Sequence, residues 1–391
     1  MKVLGIFLVS RVVTTALLLG FASVQNTNPW TGPKPDYFHF AGIWDGFWYF
    51  IIAVGGYPNQ LPTTSDGYVG ENAWAFMPAY PMVVRIVMHV TTLDYSVASV
   101  IVSVGFALGT ALLFYKLMSL VLPSNTALFA VVLFCFAPLS PIMQVAYAES
   151  MHTFLLTLAL YLLLKGRYWL MVPVVAVMSL TRPSGMAFAL LMLLHVVYRW
   201  WRSRPSAANR EEFPFDERVA SVALAFFSAF MGIAWVLIAW AVTGSVTAYT
   251  DTEMAWRSAY VGRAAFLPFT PWFQAVDRFW APWWGIPNWL LIGMLVLAIA
   301  AFFGLLFTPW VRRLGVDLRL WVASYGVYLL AVFFPQSSTF RLLVPMFPLL
   351  GAFAIPRSRV YRVAIVLLFV LGQWAWIYMA WWVDGYDWTP P

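Results

Sequence analysis

One carboxylate, Asp45, stands inside the aromatic run "GIWDGFWYFI" at residues 42–51, and a second, Glu71, follows in "GENAWAFMP". A charge among aromatics is unfavourable unless it meets water, a partner or a substrate. Beside a bound hydroxyl, an ionised carboxylate can take the proton as general base. Glu149 and His152 lie three residues apart in "AYAESMHTF", a spacing that shares one helix face. Two arginines complete the set: Arg182 in "SLTRPSG" and Arg341 in "SSTFRLLVPMFPL". The guanidinium fork suits phosphate oxygens. Together these residue types suit two tasks, activating a hydroxyl and holding a phosphate. Each also has a plain structural role open to it. Asp45 can cap the helix that follows, and Trp44 and Trp48 can form an interfacial aromatic belt. Glu149 can sit in a helix first turn, favoured by the dipole, and the arginines can snorkel. A Glu-x-x-His pair also occurs in carboxylate metal sites of helical bundles. No second such pair is present, so a di-metal centre is not expected.

The elements that must position these residues are membrane helices. Of 391 residues, 62% are hydrophobic and 10% are charged, against a charged share of about 25% in soluble domains. Apolar runs long enough to span a bilayer recur from end to end, where a β-barrel would show short alternating segments. We read an all-α polytopic membrane protein, a single domain over 1–391. Its eleven spans fall at about 3–23, 94–115, 124–140, 147–164, 168–181, 184–199, 219–243, 287–307, 319–335, 342–356 and 360–382. The fifth and sixth are short, with "TRPSG" between them, and could form one broken hairpin. The first run follows a basic start, as a signal peptide does. It is long and no A-x-A site follows, so a retained span is expected. The single cysteine, Cys135, excludes an intramolecular disulfide and cysteine-cluster metal sites. Neither a phosphate loop nor a glycine-rich dinucleotide fingerprint is present. The net charge of +7 reflects basic loops and not nucleic-acid binding.

With the N-terminus inside, 16 of the 23 Lys and Arg fall on the cytoplasmic side, counting Lys2 and Arg11, and the tail "DGYDWTPP" falls outside. The acids divide the other way: 11 of 16 lie outside or at the outer boundary, which the positive-inside rule does not require. Two long outer loops stand out. Residues 24–93 carry two interfacial helices, around "GFWYFIIAV" and "AYPMVVRIVMHV", and residues 244–286 carry Asp251, Glu253, Arg257, Arg263, Asp277 and Arg278. Both are too aromatic to be disordered, and loops of this length are usually functional otherwise.

At these residues the chain resembles the GPI mannosyltransferase II (PIG-V) family and its bacterial relatives, within the GT-C class of membrane glycosyltransferases. The matching pattern is "WDGFWYFIIAVGGYP", "ENAWAFMPAYP", "AYAES", "TRPSG" and "TFRLLVPMFPL", in that order. The resemblance implies a GT-C-like bundle that transfers a sugar, typically mannose, from a polyprenyl phosphate with inversion, at the non-cytoplasmic face. It puts the candidate base on Asp45, with Glu71 beside it in the catalytic set. Arg341 and Arg182 fall to the donor phosphate and lipid, and His39, Trp44, Trp48, Tyr80, Glu149 and His152 to substrate. A bacterial plasma-membrane relative needs a glycolipid or cell-envelope glycan as acceptor. Arginine can stabilise the departing phosphate, so metal independence is expected. The alternative is a lipid-linked sugar flippase or transporter. Transporters place charged residues near the midplane, whereas here most sit at the outer ends of spans.

Overall fold

The computed structural model describes residues 1–206, 210–262, 267–383 and 391. Among these, regular structure is helical, with one isolated bridge between Thr63 and Val69. The order begins α1 (Lys2–Val24), α2 (Tyr37–Phe40), α3 (Asp45–Gly55), α4 (Ala79–Thr91), α5 (Tyr95–Met118), α6 (Ser124–Phe136) and α7 (Glu149–Leu164). It continues with α8 (Tyr168–Ser179), α9 (Gly185–Ser203), α10 (Phe215–Thr243), α11 (Ala248–Val261), α12 (Pro271–Ala275), α13 (Ala281–Trp284) and α14 (Asn288–Leu305). It ends with α15 (Pro309–Arg312), α16 (Val316–Val332), α17 (Thr339–Leu342), α18 (Leu350–Phe353) and α19 (Arg359–Trp376). Among the described residues, α1, α5, α10, α14 and α19 are long and apolar enough to cross a membrane. Both expected interfacial helices form, as α3 and α4. Arg263 and the tail residues 384–390 lie outside the described residues.

Prolines account for the two spans that depart from expectation. The tenth, expected as one helix over 342–356, folds as α17, a 3-10 turn at Val344–Leu349 and α18. Pro345 and Pro348 remove amide donors and crowd the preceding carbonyls, so no continuous helix can pass. The third span stops at Phe136, and Ser140–Gln144 forms a separate 3-10 turn after Pro138.

The chain divides into two compact units, where the sequence reads as one domain. The first takes residues 1–56, 78–165 and 337–391; the second takes 57–77 and 166–336. In the first, α5 packs against α7, α6 and α4, while α1 and α19 lie on α6. Arg11, expected on the inner side near the N-terminus, is buried within α1 instead. It donates to Cys135 O at 3.0 Å and Ser140 O at 3.2 Å. The guanidinium thus bridges the end of α6 to the 3-10 turn that follows, sharing Cys135 O with the Ser140 hydroxyl. Arg11 therefore drops out of the charge count that set the orientation.

In the second unit, α10 packs along α9 and α8, and α16 along α9. Trp74 of "ENAW" is a core residue: its indole donates to Pro58 O at 3.0 Å, and Trp235 donates to Trp74 O at 3.0 Å. Asn72 reaches the Thr252 hydroxyl at 2.9 Å. His195 is buried between Asp317 (Nδ1 to Oδ1, 2.7 Å) and the Tyr168 hydroxyl (3.0 Å), a polar link among α8, α9 and α16. The α9–α10 crossing runs through two glycines. A Cβ on Gly185 would stand 2.7 Å from Gly232 N and 2.8 Å from its Cα. Ser228 closes the crossing by donating to Gly185 O at 2.9 Å. The glycine of "TRPSG" is thus required for backbone approach.

Overpacking of this kind costs about 1–3 kcal/mol. Gly185→Ala is expected to lower the midpoint of thermal unfolding in detergent, because the helices must separate. Gly105→Ala faces open space inside α5 and is the control, expected to unfold as the parent or slightly later. Equal midpoints for the two variants would show that the crossing is looser than described.

Candidate functional site

The polar centre of the first unit assembles from three segments far apart in sequence. Asp45 opens α3, Glu149 opens α7 and Arg341 sits in α17. Arg341 Nη1 donates to Asp45 Oδ2. On its other side, Arg341 Nε lies 3.4 Å from Glu149 Oε1. One guanidinium therefore serves two carboxylates, each in the first turn of a helix where the dipole favours negative charge. Asp45 is not the cap it could have been: Trp44 holds the N-cap position of α3, and no side chain caps it. The carboxylate faces the arginine instead.

Burial grades the three side chains. Glu149 is 5% exposed, Arg341 11% and Asp45 20%. Asp45 Oδ1 and Arg341 Nη2 have no hydrogen-bond partner among the described residues. Glu149 is enclosed and serves to hold the guanidinium, while Asp45 and one edge of Arg341 remain reachable.

Aromatic residues fix this arrangement. Tyr147 is fully buried, with its ring 5.4 Å from the Arg341 guanidinium carbon, and its hydroxyl accepts from Asp45 N at 3.1 Å. Tyr95 donates to Gly46 O at 2.8 Å. Trp44 has φ 59° and ψ −127°, a region that side-chain-bearing residues rarely occupy. Such a conformation persists only where surroundings over-determine it, and it clusters at functional sites. Here the Trp44 indole donates to Trp381 O at 3.2 Å and its ring lies 4.5 Å from Trp30. Trp381 in turn donates to Phe40 O at 3.1 Å. Gly46 lies against Ala146, where a Cβ would come within 3.3 Å of the Ala146 carbonyl oxygen.

An apolar cavity of about 420 Å³ opens in the same unit. Phe340 and Leu343, flanking Arg341, line it together with Pro138, Phe347 and Trp376. Its walls are the broken end of α6, the proline-rich 344–349 turn and α19. The two proline breaks thus border this apolar space.

The other candidate residues are placed as follows. His152 is buried one turn beyond Glu149 in α7. Tyr80 is fully buried and its hydroxyl is spent on Ser99 O at 3.1 Å and the Ser103 hydroxyl at 2.9 Å. Trp48 is half-buried on α3. His39 is exposed and pairs with Asp36 at 2.7 Å; the His39 amide and imidazole hold the Asp36 carboxyl below its ordinary range. Glu71 and Arg182 belong to the second unit. Glu71 is exposed, yet the protein around it raises its carboxyl pKa. Burial also raises the carboxyl of Glu253 on α11, against the opposing pull of Arg257, Tyr249 and Arg182. Arg257 donates to Val332 O at 2.6 Å. Sequence reasoning missed Tyr147 and Arg11. Tyr147 lay inside the quoted "AYAES", and its place two residues before Glu149 was the available signal.

The solved structures that align with the chain include those of an archaeal enzyme. The oligosaccharyltransferase of Archaeoglobus fulgidus, tethered with an acceptor peptide, aligns with TM-score 0.42 and 11% identity over 95% of this chain and 53% of its own. The same organism's oligosaccharyltransferase AglB, in complex with an inhibitory peptide and a dolichol-phosphate, gives TM-score 0.42 and 13% identity over 96% and 55%. The chain spans about half the length of these structures, and likeness at that level carries no argument about the site. Curated protein sequences give no match. The family profile Mannosyltransferase (PIG-V) matches residues 37–233, which include Asp45 and Glu149. That is half of the chain, and the chain belongs to the Mannosyltransferase (PIG-V) family.

Proposed function

We propose that the protein is an inverting membrane glycosyltransferase that moves a sugar, mannose by its family, from a polyprenyl-phosphate donor to a glycolipid or cell-envelope glycan. The observation that carries the reading is the guanidinium shared between Asp45 and Glu149, on a segment whose Phe340 and Leu343 line an apolar cavity. The polyprenyl chain lies in the cavity and its phosphate meets Arg341. Membership of the family supports the sugar and the reaction class. The excess of basic residues in the expected inner loops supports a site on the non-cytoplasmic face.

The chemistry is a single displacement. The acceptor oxygen attacks the anomeric carbon on the face opposite the phosphate. A carbon–oxygen bond forms as the bond to the phosphate oxygen breaks, and its electron pair leaves on the lipid phosphate. The hydroxyl proton goes to Asp45. Arg341 stabilises the charge that develops on the phosphate, so the reading needs no metal. In the resting site Asp45 Oδ2 is occupied by Arg341. An arriving phosphate competes for that guanidinium and draws it off, while Glu149 keeps its hold through Nε. Donor binding thereby frees Asp45 Oδ2, beside the already open Oδ1, for the acceptor.

Asp45→Asn is nearly isosteric and is expected to fold while transfer from polyprenyl-phosphate mannose falls about 10²–10⁴-fold, the usual share of a positioned base. Full activity in purified Asp45→Asn, with Glu71→Gln or Glu149→Gln inactive, would assign the base elsewhere.

Arg341→Lys keeps the charge and loses the fork. It is expected to raise the donor KM and lower kcat while leaving the acceptor KM unchanged. Unaltered donor kinetics in this variant would remove Arg341 from the phosphate.

A further inference from the structure

A second cationic site lies at the other end of the first unit. A cavity of about 440 Å³ is lined by Pro123, Ser124, Asn125, Thr126, Arg357 and Arg362. It sits at the N-terminus of α6, a 13-residue helix whose far end opens on the apolar cavity described above. At 1.5 Å per residue, the two are about 20 Å apart along the helix. The α6 and α19 helices run parallel here. Gln373 binds Phe136 O at 2.9 Å at one end, and the Arg362 guanidinium lies 4.5 Å from the Phe129 ring centre toward the other.

The donors in this cavity are unspent. The Thr126 and Ala127 amides bond to Pro123 O at 2.8 and 2.9 Å, but those of Ser124 and Asn125 have no partner among the described residues. Thr126 is 7% exposed, and its hydroxyl has no partner among the described residues although it lines the cavity. Arg362 uses Nε on Pro356 O at 3.1 Å, which orients the fork and leaves both terminal nitrogens without a partner among the described residues. Arg357 is exposed and makes no polar contact among the described residues. No carboxylate lines the cavity, so two positive charges and a helix N-terminus converge uncompensated.

We infer that this cavity binds a phosphate group, separate from the Arg341 centre. Basic pockets between membrane helices on the cytoplasmic side hold anionic lipid headgroups, and a free phosphate presents the same oxygens. Two guanidinium groups, two helix amides and the Ser124 and Thr126 hydroxyls supply more donors than a neutral ligand would use.

The test uses the full chain purified in detergent, in two arms. Native mass spectrometry with added phosphatidylglycerol, against phosphatidylcholine, reads the lipid. Isothermal titration with inorganic phosphate reads the free anion. Binding in either arm is expected to weaken at least about tenfold in Arg357→Gln and in Arg362→Gln, since a hydrogen bond to a charged group contributes about that factor or more. Arg357→Gln touches nothing structural, so its loss of binding cannot come from misfolding. Thr126→Val should weaken binding by less. Phosphatidylglycerol binding without a phosphate response identifies the lipid as source, and the reverse identifies the free anion. A parent protein that binds neither probe, or both arginine variants binding as the parent does, would overturn the site.

Discussion

A single guanidinium between two carboxylates is the interaction on which the first unit's polar centre depends. Arg341, Asp45 and Glu149 come from α17, α3 and α7, and none is stable alone in so apolar a chain. Removing one partner of a buried pair costs about 3–5 kcal/mol, because the other charge is left uncompensated. Loss of Arg341 would leave two carboxylates facing each other, so Lys is a cleaner probe of chemistry than Ala at this position. The strained Trp44 backbone and the buried Tyr147 follow from the same demand, for they hold the start of α3 where its carboxylate can meet the arginine.

The proline breaks serve that centre too. The α17 segment carries Arg341 as a short turn because Pro345 and Pro348 prevent a continuous helix. The end of α6 before Pro138 leaves carbonyls that Arg11, the Ser140 hydroxyl and Gln373 satisfy from inside the bundle. Together these interruptions border the apolar cavity lined by Phe340 and Leu343. A bundle of unbroken helices would have filled that space with side chains.

Much of this was legible in the sequence, for physical reasons. Long apolar runs can only be helices in a bilayer, so the helical architecture and both interfacial helices were expected. Asp45, Glu149 and Arg341 stood out because charges are rare here and each sat in a quoted motif. That all three share one ion cluster was not legible, since it depends on contacts nearly 300 residues apart in sequence. Tyr80 illustrates the opposite error in reading: an aromatic residue in a quoted motif proves to be a fully buried support for α5. Trp74 and Gly185 likewise serve packing within motifs that looked chemical. The buried role of Arg11 was hidden because a basic residue near a chain start reads as a loop charge.

The central claim is that Arg341 exchanges Asp45 for the donor phosphate. The most direct measurement is a structure of the full chain with a non-transferable phosphonate analogue of polyprenyl-phosphate mannose. The account predicts guanidinium nitrogens about 2.7–2.9 Å from the phosphonate oxygens, Glu149 still at Nε, the lipid in the cavity walled by Phe340 and Trp376, and Asp45 released from Arg341. A phosphonate bound away from Arg341, with the Asp45 pair intact, would contradict it.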